Sequence, residues 1–375
     1  MIDQVYIRNA NRVVIGIIDA AESIIWEQQY YDTGTFEVYC RATVLNQQLL
    51  QIGNYVTRTD NENIGIIESI EIKFEAENGL MITASGRFAK SILDRRLIYN
   101  ISGHTIYPIV FSGNLETAVR NLVSSNIINA TDTSRNINFI ELGAIAGITD
   151  IITSNTGESA DKQTSYANLL TYTDKLLREY HHGAKMILND STKKLQYVVY
   201  TGNDRSNGNT DGNNPIVFSQ DFDNLISSDY QISNDEWKNA ALIGGQGEGT
   251  ERFCVLMVDP TQTGANRREV FIDSSSQSKT YKNSSDEDVE YTDSEYTQLL
   301  ITDAMQKISE FKEIESFSGE IDITNSIYKF NRDFFLGDLV TIQDNQIGVY
   351  QTVRIIKATE VQDDNGYILS VEFGE

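Results

Sequence analysis

An internal repeat constrains this chain most, because its two ends follow the same order of glycines, strands and turns. The first repeat covers residues 34–86 and the second covers residues 319–374. Within them, the segment GNYVTRTD at 53–60 matches GDLVTIQD at 337–344, and each repeat ends in a hairpin with an Asn-Gly tip. The match predicts one small antiparallel β-barrel present twice, with coincidence among generic hairpin turns as the alternative.

A barrel that occurs twice in a chain has a consequence for symmetry. Three such chains in a closed ring would place six similar units around one axis. A ring of that kind can meet a sixfold object on one side and a threefold object on the other. The repeat therefore favours a structural adaptor between two assemblies of different symmetry.

The region between the two repeats changes character and indicates α+β structure. Apolar residues at helical spacing follow Asn114, a good N-cap, and a second helix is predicted over 165–181 with Gly183 to end it. We predict a mainly β chain with two similar small antiparallel β-barrels, an α+β domain and a helical insertion. The predicted domains are a first β-barrel in residues 1–104, an α+β insertion domain in 105–201, and a second β-barrel in 202–375.

The second barrel is predicted to carry an insertion of its own at about residues 273–316. Its acidic residues between 286 and 295 have no basic residue among them, which predicts an exposed loop. Thr292 and Glu295 are spaced as a capping box that would start a helix.

Composition and charge limit the possible functions. The 375 residues include 54 acidic and 30 basic side chains, a formal charge of −24, so the surface repels nucleic acid. Such a surface suits a conduit through which DNA slides without sticking, or it serves solubility alone.

Cys40 and Cys254 form neither a disulfide framework nor a zinc signature. The sequence shows no signal peptide and no run of the ~20 apolar residues that span a bilayer, so we expect no membrane anchor.

No motif in the sequence predicts an enzymatic site. The glycine-rich run 244–249 is followed by a strand-like segment, whereas a phosphate-binding loop requires a helix there. His181 and His182 are adjacent and diverge at a helix end, which favours solvated side chains over a shared metal. The acidic loop lacks the central glycine of a calcium loop. We therefore predict no catalytic residue, no cofactor and no metal.

Several short motifs occur in a characteristic order along the chain. They are Gly86-Arg87, LDRR at 93–96, VYTGNDRS at 199–206, NPIVFS at 214–219, GQGEG at 245–249 with Arg252, and REVFID at 268–273. Together they resemble a family of siphophage tail proteins common in phages and prophages of Gram-positive hosts. That family is similar to the N-terminal region of tail-associated lysins and to the baseplate hub of contractile tails.

The resemblance implies a homotrimeric structural hub at the tail tip of a virion, assembled in the cytoplasm of the host bacterium. It implies a distal tail protein or tail tube as one partner, and a spike, fibre or tape-measure protein as another. DNA would pass through the lumen without specific binding. The chain stops where the second repeat ends, so we expect any lytic or fibre role on another polypeptide.

Candidate assembly residues come from these motifs and from the matched turns. Arg95 and Arg96 are interpreted as reaching carboxylates of a neighbouring subunit, with a cap on a helix end as the alternative. The full set is Gly53, Gly86, Arg87, Arg95, Arg96, Asp204, Arg205, Gly247, Glu248, Gly249, Arg252, Gly337, Asp338 and Arg354.

Two functions of other classes stay open as alternatives to the hub. One is a tail-associated cell-wall hydrolase. The other is a carbohydrate-binding tail protein that uses Trp26 and Trp237 as stacking platforms. Both tryptophans lie in strand-like segments, which favours packing in the core.

Overall fold

The computed structural model describes residues 4–76, 79–102, 104–107, 109–153, 162–282, 287–321 and 326–374. Strands far outnumber helices and most strand pairs are antiparallel, which confirms the predicted mainly β class. The chain forms two compact units. One comprises Met1–Ile152, Ser159–Asp229 and Phe317–Glu375, and the other Thr153–Glu158 and Tyr230–Ser316.

The N-terminal part, which contains the first repeat, is built from eight strands and one short helix. They are β1 (Val5–Arg8), β2 (Val14–Ile18), β3 (Ala21–Gln29), β4 (Thr35–Arg41), α1 (Val44–Leu49), β5 (Tyr55–Thr57), β6 (Ile64–Ile66), β7 (Ser69–Glu75) and β8 (Gly79–Arg87). Strands β2, β1, β5 and β6 form one sheet, and β3, β4, β8 and β7 lie side by side in another. Ile7, Trp26 and Val38 are fully buried in the core that includes both sheets. Each such side chain stabilises the fold by about 1.5–3 kcal/mol.

The α+β region follows the first repeat. Its elements are β9 (Asn100–Ser102), β10 (Thr105–Tyr107), β11 (Ile109–Phe111), α2 (Leu115–Val123), β12 (Ile140–Leu142), β13 (Lys162–Thr164), α3 (Leu169–Glu179), β14 (Gly183–Asn189) and β15 (Lys194–Tyr200). Asn114 caps α2, as predicted, by accepting a 2.9 Å hydrogen bond from the Thr117 backbone. Helix α3 is shorter than the predicted 165–181. His181 takes the left-handed position beyond its end (φ 60°), and Gly183 begins a strand instead.

The second half of the chain contains the remaining elements. They are β16 (Val217–Ser219), β17 (Leu225–Ser233), β18 (Ala240–Gly244), β19 (Cys254–Val258), β20 (Glu269–Asp273), β21 (Thr280–Lys282), β22 (Asp288–Glu290), α4 (Asp293–Ile308), β23 (Ile314–Ile321), β24 (Leu339–Asp344), β25 (Val349–Asp363) and β26 (Gly366–Gly374). The capping box of Thr292 and Glu295 starts α4, as predicted. The predicted exposed loop is in part a hairpin, since β21 and β22 pair, and Asp286 lies outside the described residues.

The two repeats pair their strands in the same way. In the first, β4 pairs with β8, β5 with β6, and β7 with β8, all antiparallel. In the second, β23 pairs with β26, β24 with the first half of β25, and the second half of β25 with β26. The first repeat breaks the third strand into β6 and β7, whereas β25 continues through an irregularity at Ile356. The matched glycines Gly53 and Gly337 both have positive φ, 86° and 94°.

Strand β3 joins the two repeats into a single sheet. It pairs with β4 on one side and with β25 on the other. The main path of this sheet runs β17-β23-β26-β25-β3-β4-β8-β7, and β24 links β16 to β25 beside it. Among the described residues, no sheet of one chain closes on itself. The prediction of two barrels therefore stays a prediction.

Candidate functional site

One face of the eight-stranded path is mostly polar from β7 to β23. Successive residues of a strand point to opposite faces, and the pairing register lines up the residues that share a face. Met81, which pairs with Arg41 and Lys73, lies on this face and is buried, whereas the other side chains of the face are not fully buried. Trp26 and Val38 are buried on the opposite face. The polar face consists of Ser69, Glu71, Lys73, Thr83, Ser85, Arg87, Thr35, Glu37, Tyr39, Arg41, Ser23, Ile25, Glu27, Gln29, Lys357, Thr359, Val361, Asp363, Ile368, Ser370, Glu372, Ser318 and Glu320.

Every basic side chain in that set lies beside a carboxylate. Lys73 lies 2.8 Å from Glu71, Arg87 2.9 Å from Glu68, and Arg41 3.6 Å from Glu22. Lys357 lies 3.2 Å from Glu27 and 3.0 Å from Glu372. Although partial burial opposes it, the bonds to Glu372 and Glu27 raise the pKa of Lys357, so it stays charged and paired. The polar face therefore combines excess carboxylates with cations that are already neutralised.

Among the described residues, β7 and β17 have no further strand beyond them in this path, and both edges expose apolar side chains. At one edge, Ile72 and Phe74 of β7 are 46% and 77% exposed, although they pair with Ile82 and Leu80 on the core side of the sheet. At the other edge, Ile226 of β17 is 58% exposed. An edge strand with uncovered apolar side chains is a template for pairing with another chain.

Of the candidate residues from the sequence, Asp338 and its neighbours form the most connected group. The Asp338 carboxylate is buried and accepts hydrogen bonds from the backbones of Asn203 and Phe335. It also accepts one from Arg205 Nε at 2.8 Å. Burial raises the pKa of Asp338, although these bonds oppose the shift. The carboxylate thus links Asn203 and Arg205 to the turn before β24 through hydrogen bonds.

Three further candidates, Gly337, Arg354 and Asp204, lie close to Asp338 in the chain or in the fold. Arg354 donates a 2.6 Å hydrogen bond to the carbonyl of Gly337. A side chain at Gly337 would collide with the Tyr30 ring, so glycine is required there both for its positive φ and for space. Asp204 accepts a hydrogen bond from the Ser206 backbone at 2.8 Å. Arg354 also lies 5.5 Å from the Tyr30 ring, so Gly337 and Arg354 place the second repeat against Tyr30, which follows β3.

The first-repeat candidates are separated from that group. Arg87 pairs with Glu68 and lies 3.0 Å from Asp94, and these bonds raise its pKa. A side chain at Gly86 would collide with the backbone of Ile66. Arg96 donates two hydrogen bonds to the carbonyl of Arg135, while Arg95 is exposed. Of the two arginines, Arg95 is the more exposed.

The candidates of the second unit form a turn. Gly247 and Gly249 have positive φ, 102° and 54°, and Glu248 starts the short 3-10 turn between them and β19. Arg252 lies 2.6 Å from Asp273 and donates hydrogen bonds to the carbonyls of Gly244 and Gly245. Strand β19 follows the turn and pairs antiparallel with β18, which confirms the strand predicted after the glycine-rich run.

Sequence reasoning missed a buried ion cluster between the two repeats. Arg58 donates hydrogen bonds to both oxygens of Glu360, each at 2.9 Å, and to both oxygens of Asp60, at 2.9 and 2.6 Å. Tyr367 donates to Glu360 at 2.8 Å. Arg58 and Glu360 are both buried. Glu360 lies on the core-facing side of β25, where alternation predicts an apolar residue. This break in the alternation is the only feature of the sequence that indicates the buried ion cluster.

Two sequence interpretations need correction. His182 is buried, not solvated, because its ring is hydrogen-bonded to Thr201 at 2.7 Å and to Asp150 at 3.0 Å. Trp237 lies in a loop beneath Arg268 at 5.5 Å, not in a strand, whereas Trp26 is fully buried as predicted. The part of the chain that the structure describes holds no cluster of three or more metal-ligating side chains. No helix in the same part is long and apolar enough to cross a bilayer.

Comparisons with known proteins agree on one class. The profile of the Siphovirus ReqiPepy6 Gp37-like protein family matches residues 4–375. The fold resembles a tail protein from Neisseria meningitidis MC58, with a TM-score of 0.57 and 12% identity over 99% of this chain and 96% of that one. It also resembles the 43 kDa tail protein of prophage MuSo2 from Shewanella oneidensis, with a TM-score of 0.54 and 12% identity over 99% and 98%. No curated protein matches the sequence.

Proposed function

The chain belongs to the Siphovirus ReqiPepy6 Gp37-like family of phage tail proteins, and on that premise we propose that it is the structural hub of a tail tip. In this proposal three chains form a ring that adapts the sixfold tail to a threefold tip. The single observation that carries it is the eight-stranded path with one repeat at each end and an uncovered apolar edge on both sides.

Edge pairing explains how the ring would close. Strand β7 of one chain lies against β17 of the next, so that the core side of the sheet continues across the boundary and covers Phe74. Closure removes every free edge of the path, which is how β proteins avoid open-ended association. Residues 1–104 and 202–375 would then supply alternating barrel-like units around the axis, with 105–201 as an insertion. Exposed Arg95 would reach a neighbouring subunit.

The polar face would line the channel. DNA carries a dense row of phosphates and binds where cations are available. On this face the cations are paired with carboxylates, and Glu37, Asp363 and Glu320 add further negative charge. A face of this kind lets DNA pass without holding it. The distal tail protein or tail tube would meet one rim, and a spike, fibre or tape-measure protein the other. No catalytic role is part of this proposal.

Mass measurement tests the ring. We expect purified full-length chain to be a trimer by multi-angle light scattering and a ring with a central hole by negative-stain microscopy. Phe74→Lys, at the free edge, should shift the protein to monomer because a lysine cannot be buried unpaired. Ile145→Lys is the matched control, since Ile145 is 75% exposed and Phe74 77%. A monomeric wild-type protein at high concentration would overturn the proposal.

A further inference from the structure

A polar cavity of about 360 Å³ lies within the first compact unit, where both repeats meet the α+β region. The turn after β3, the loop between β5 and β6, strands β14 and β15, and the turn before β24 form most of its wall. Its volume is in the range of about 300–1,000 Å³ that small-molecule sites usually have. No residue of β7 or β17, the two edges of the proposed ring contact, is among the described residues that line it.

The charged side chains of this cavity are already paired with opposite charges. The ion pairs are Asp32 with Arg178 at 2.5 Å, Asp60 with Arg58 at 2.6 Å, Glu62 with Lys185 at 2.6 Å, Lys90 with Asp174 at 2.9 Å, and Asp338 with Arg205 at 2.8 Å. An ionic ligand would have to compete with these partners, because burying a charge without a partner is strongly unfavourable. The cavity therefore favours a ligand without charge.

Neutral polar groups of the same cavity, in contrast, have hydrogen-bonding capacity to spare. The Thr33 hydroxyl is buried and has no hydrogen-bond partner. Within the described part of the chain, the Tyr200 hydroxyl and the side-chain amide of Asn331 also make no hydrogen bond. Asn61 accepts a 2.9 Å hydrogen bond from the Asn63 backbone, which leaves its amide NH2 group unused. A buried polar group without a partner is unfavourable, so these groups favour a ligand that supplies hydrogen bonds.

The cavity also provides an aromatic ring. Phe335 lines it and is 38% exposed. Neutral hydroxyls and amides beside an aromatic ring match a sugar, which carries hydroxyls on its rim and C–H groups on its faces. Neither Trp26 nor Trp237, the stacking platforms considered from the sequence, lines this cavity.

We propose that this cavity binds a neutral saccharide of one or two sugar units. Burial raises the pKa of Tyr200, so its hydroxyl keeps its proton and can donate as well as accept, as the Thr33 hydroxyl can. The amides of Asn61 and Asn331 would bind further sugar hydroxyls, and the exposed part of Phe335 would contact the C–H face of the sugar ring. One chain supplies all of these groups, so the site does not require the ring of three chains.

Ligand-observed NMR on the full-length chain tests the proposal. The probes are glucose, galactose, N-acetylglucosamine, rhamnose, lactose and cellobiose. We expect at least one of them to bind with a Kd of about 1 mM or tighter, and its affinity to be the same at low and high salt because the site recognises no charge. If none of the probes binds at about ten times that concentration, or if binding weakens steeply with salt, the proposal is wrong.

The variant Tyr200→Phe tests whether the sugar occupies this cavity. It removes only a hydroxyl that has no partner among the described residues, so the melting temperature should not change. Loss of one hydrogen bond to the sugar should weaken binding about tenfold. Tyr172→Phe is the matched control, since burial raises the pKa of Tyr172 as well and Tyr172 does not line the cavity. If Tyr200→Phe binds the sugar as tightly as wild type, the proposal is overturned.

A second pair of variants repeats the test with smaller side chains. The Thr33 and Ser91 hydroxyls are both buried without a partner, but only Thr33 lines the cavity. We therefore expect Thr33→Val to weaken sugar binding about tenfold and Ser91→Ala to leave it unchanged. Equal affinities of these two variants for the sugar would contradict the assigned site.

These outcomes are separate from those of the proposed function. A wild-type chain that binds a sugar as a monomer would overturn the ring and leave the saccharide site in place. A trimer that binds none of the probes would overturn the saccharide site and leave the ring in place.

Discussion

The two repeats pair their strands alike, yet they use matched positions differently. Arg58 of the first repeat corresponds to Ile342 of the second, because each follows its turn glycine by the same number of residues. Arg58 is buried with Glu360, while Ile342 is fully buried as an ordinary apolar residue. The hydrogen bonds between strands are made by the backbone and do not depend on the side chain. A buried arginine and a buried isoleucine therefore both fit the same strand pairing. The difference shows that the first repeat supplies the buried arginine of the ion pair that connects the two repeats.

A second pair of glycines, Gly65 and Gly348, lies 12 and 11 residues after Gly53 and Gly337, and these two differ as well. Gly65 lies within β6, and a side chain there would collide with the Phe36 ring. Gly348 instead has φ 73° at a turn with open space around it. The same residue type is needed for close packing in one repeat and for backbone conformation in the other.

Breaking the ion cluster should produce the largest effect on stability. Glu360→Ala leaves Arg58 buried without its buried partner, with only the half-exposed Asp60 beside it, and we expect a loss of about 3–5 kcal/mol in the free energy of unfolding. Asp60→Ala is the control, since Asp60 is half exposed and its loss should cost about 1 kcal/mol or less. Urea unfolding measures both. Equal losses in the two variants would show that Glu360 is not the partner that matters.

A second buried pair makes stability depend on pH. Lys90 lies 2.9 Å from Asp174, and it ties the segment after the first repeat to α3. Burial raises the pKa of Asp174 to about 6, above its ordinary value of 3.8. The folded state therefore holds this proton more tightly than the unfolded state, so Asp174 destabilises the fold increasingly as pH rises from about 4 to about 6.

Asp174→Asn should remove that dependence. We expect the wild-type unfolding free energy to fall by on the order of 2 kcal/mol more than that of the variant between pH 4 and pH 7. Denaturant titrations at several pH values measure the difference. Parallel pH profiles for the two proteins would count against the buried carboxyl as the cause.

Alanine at the two matched glycines should give intermediate and unequal losses. Gly65→Ala forces Phe36 to move, and we expect a cost of about 1–3 kcal/mol. Gly348→Ala meets no neighbour but must keep a positive φ, so its cost should be about 1 kcal/mol. Thermal unfolding of both variants compares them directly. If Gly348→Ala lost more stability than Gly65→Ala, backbone conformation would matter more than packing for the stability of both repeats.

Pairs on the polar face should contribute least. Lys73 and Glu71 are both more than half exposed, so Lys73→Ala should change the unfolding free energy by about 0.5 kcal/mol or less. Lys357 is less exposed and meets two carboxylates, so Lys357→Ala should cost slightly more, up to about 1 kcal/mol. A large loss in the free energy of unfolding for Lys73→Ala would show that the polar face also stabilises the fold.

Local features were predictable because they depend on neighbours in sequence. The N-cap of Asn114, the capping box at Thr292 and the turn at Gly53 all follow from the conformations that these residues favour. The end of α3 was not predictable in detail, because His181 accepts the strained position that glycine usually fills.

Of the candidate site, the sequence supplied single residues but not the surface. Alternation in β4 separates Phe36 and Val38 from Glu37 and Tyr39, which defines two faces for that strand alone. Which strands lie beside it depends on pairings between distant segments, such as Val361 with Ile25. A shift of one residue in such a pairing would send every side chain to the other face.

By itself, the sequence determined the repeat, the mainly β class and most turns, because glycine positions and alternating hydrophobicity act over a few residues. The tertiary structure decided that both repeats share one sheet through β3, that Arg58 meets Glu360, and where apolar edges remain uncovered. Those features arise between segments roughly 300 residues apart, where many pairings satisfy the same local pattern and only the burial of the whole core selects one.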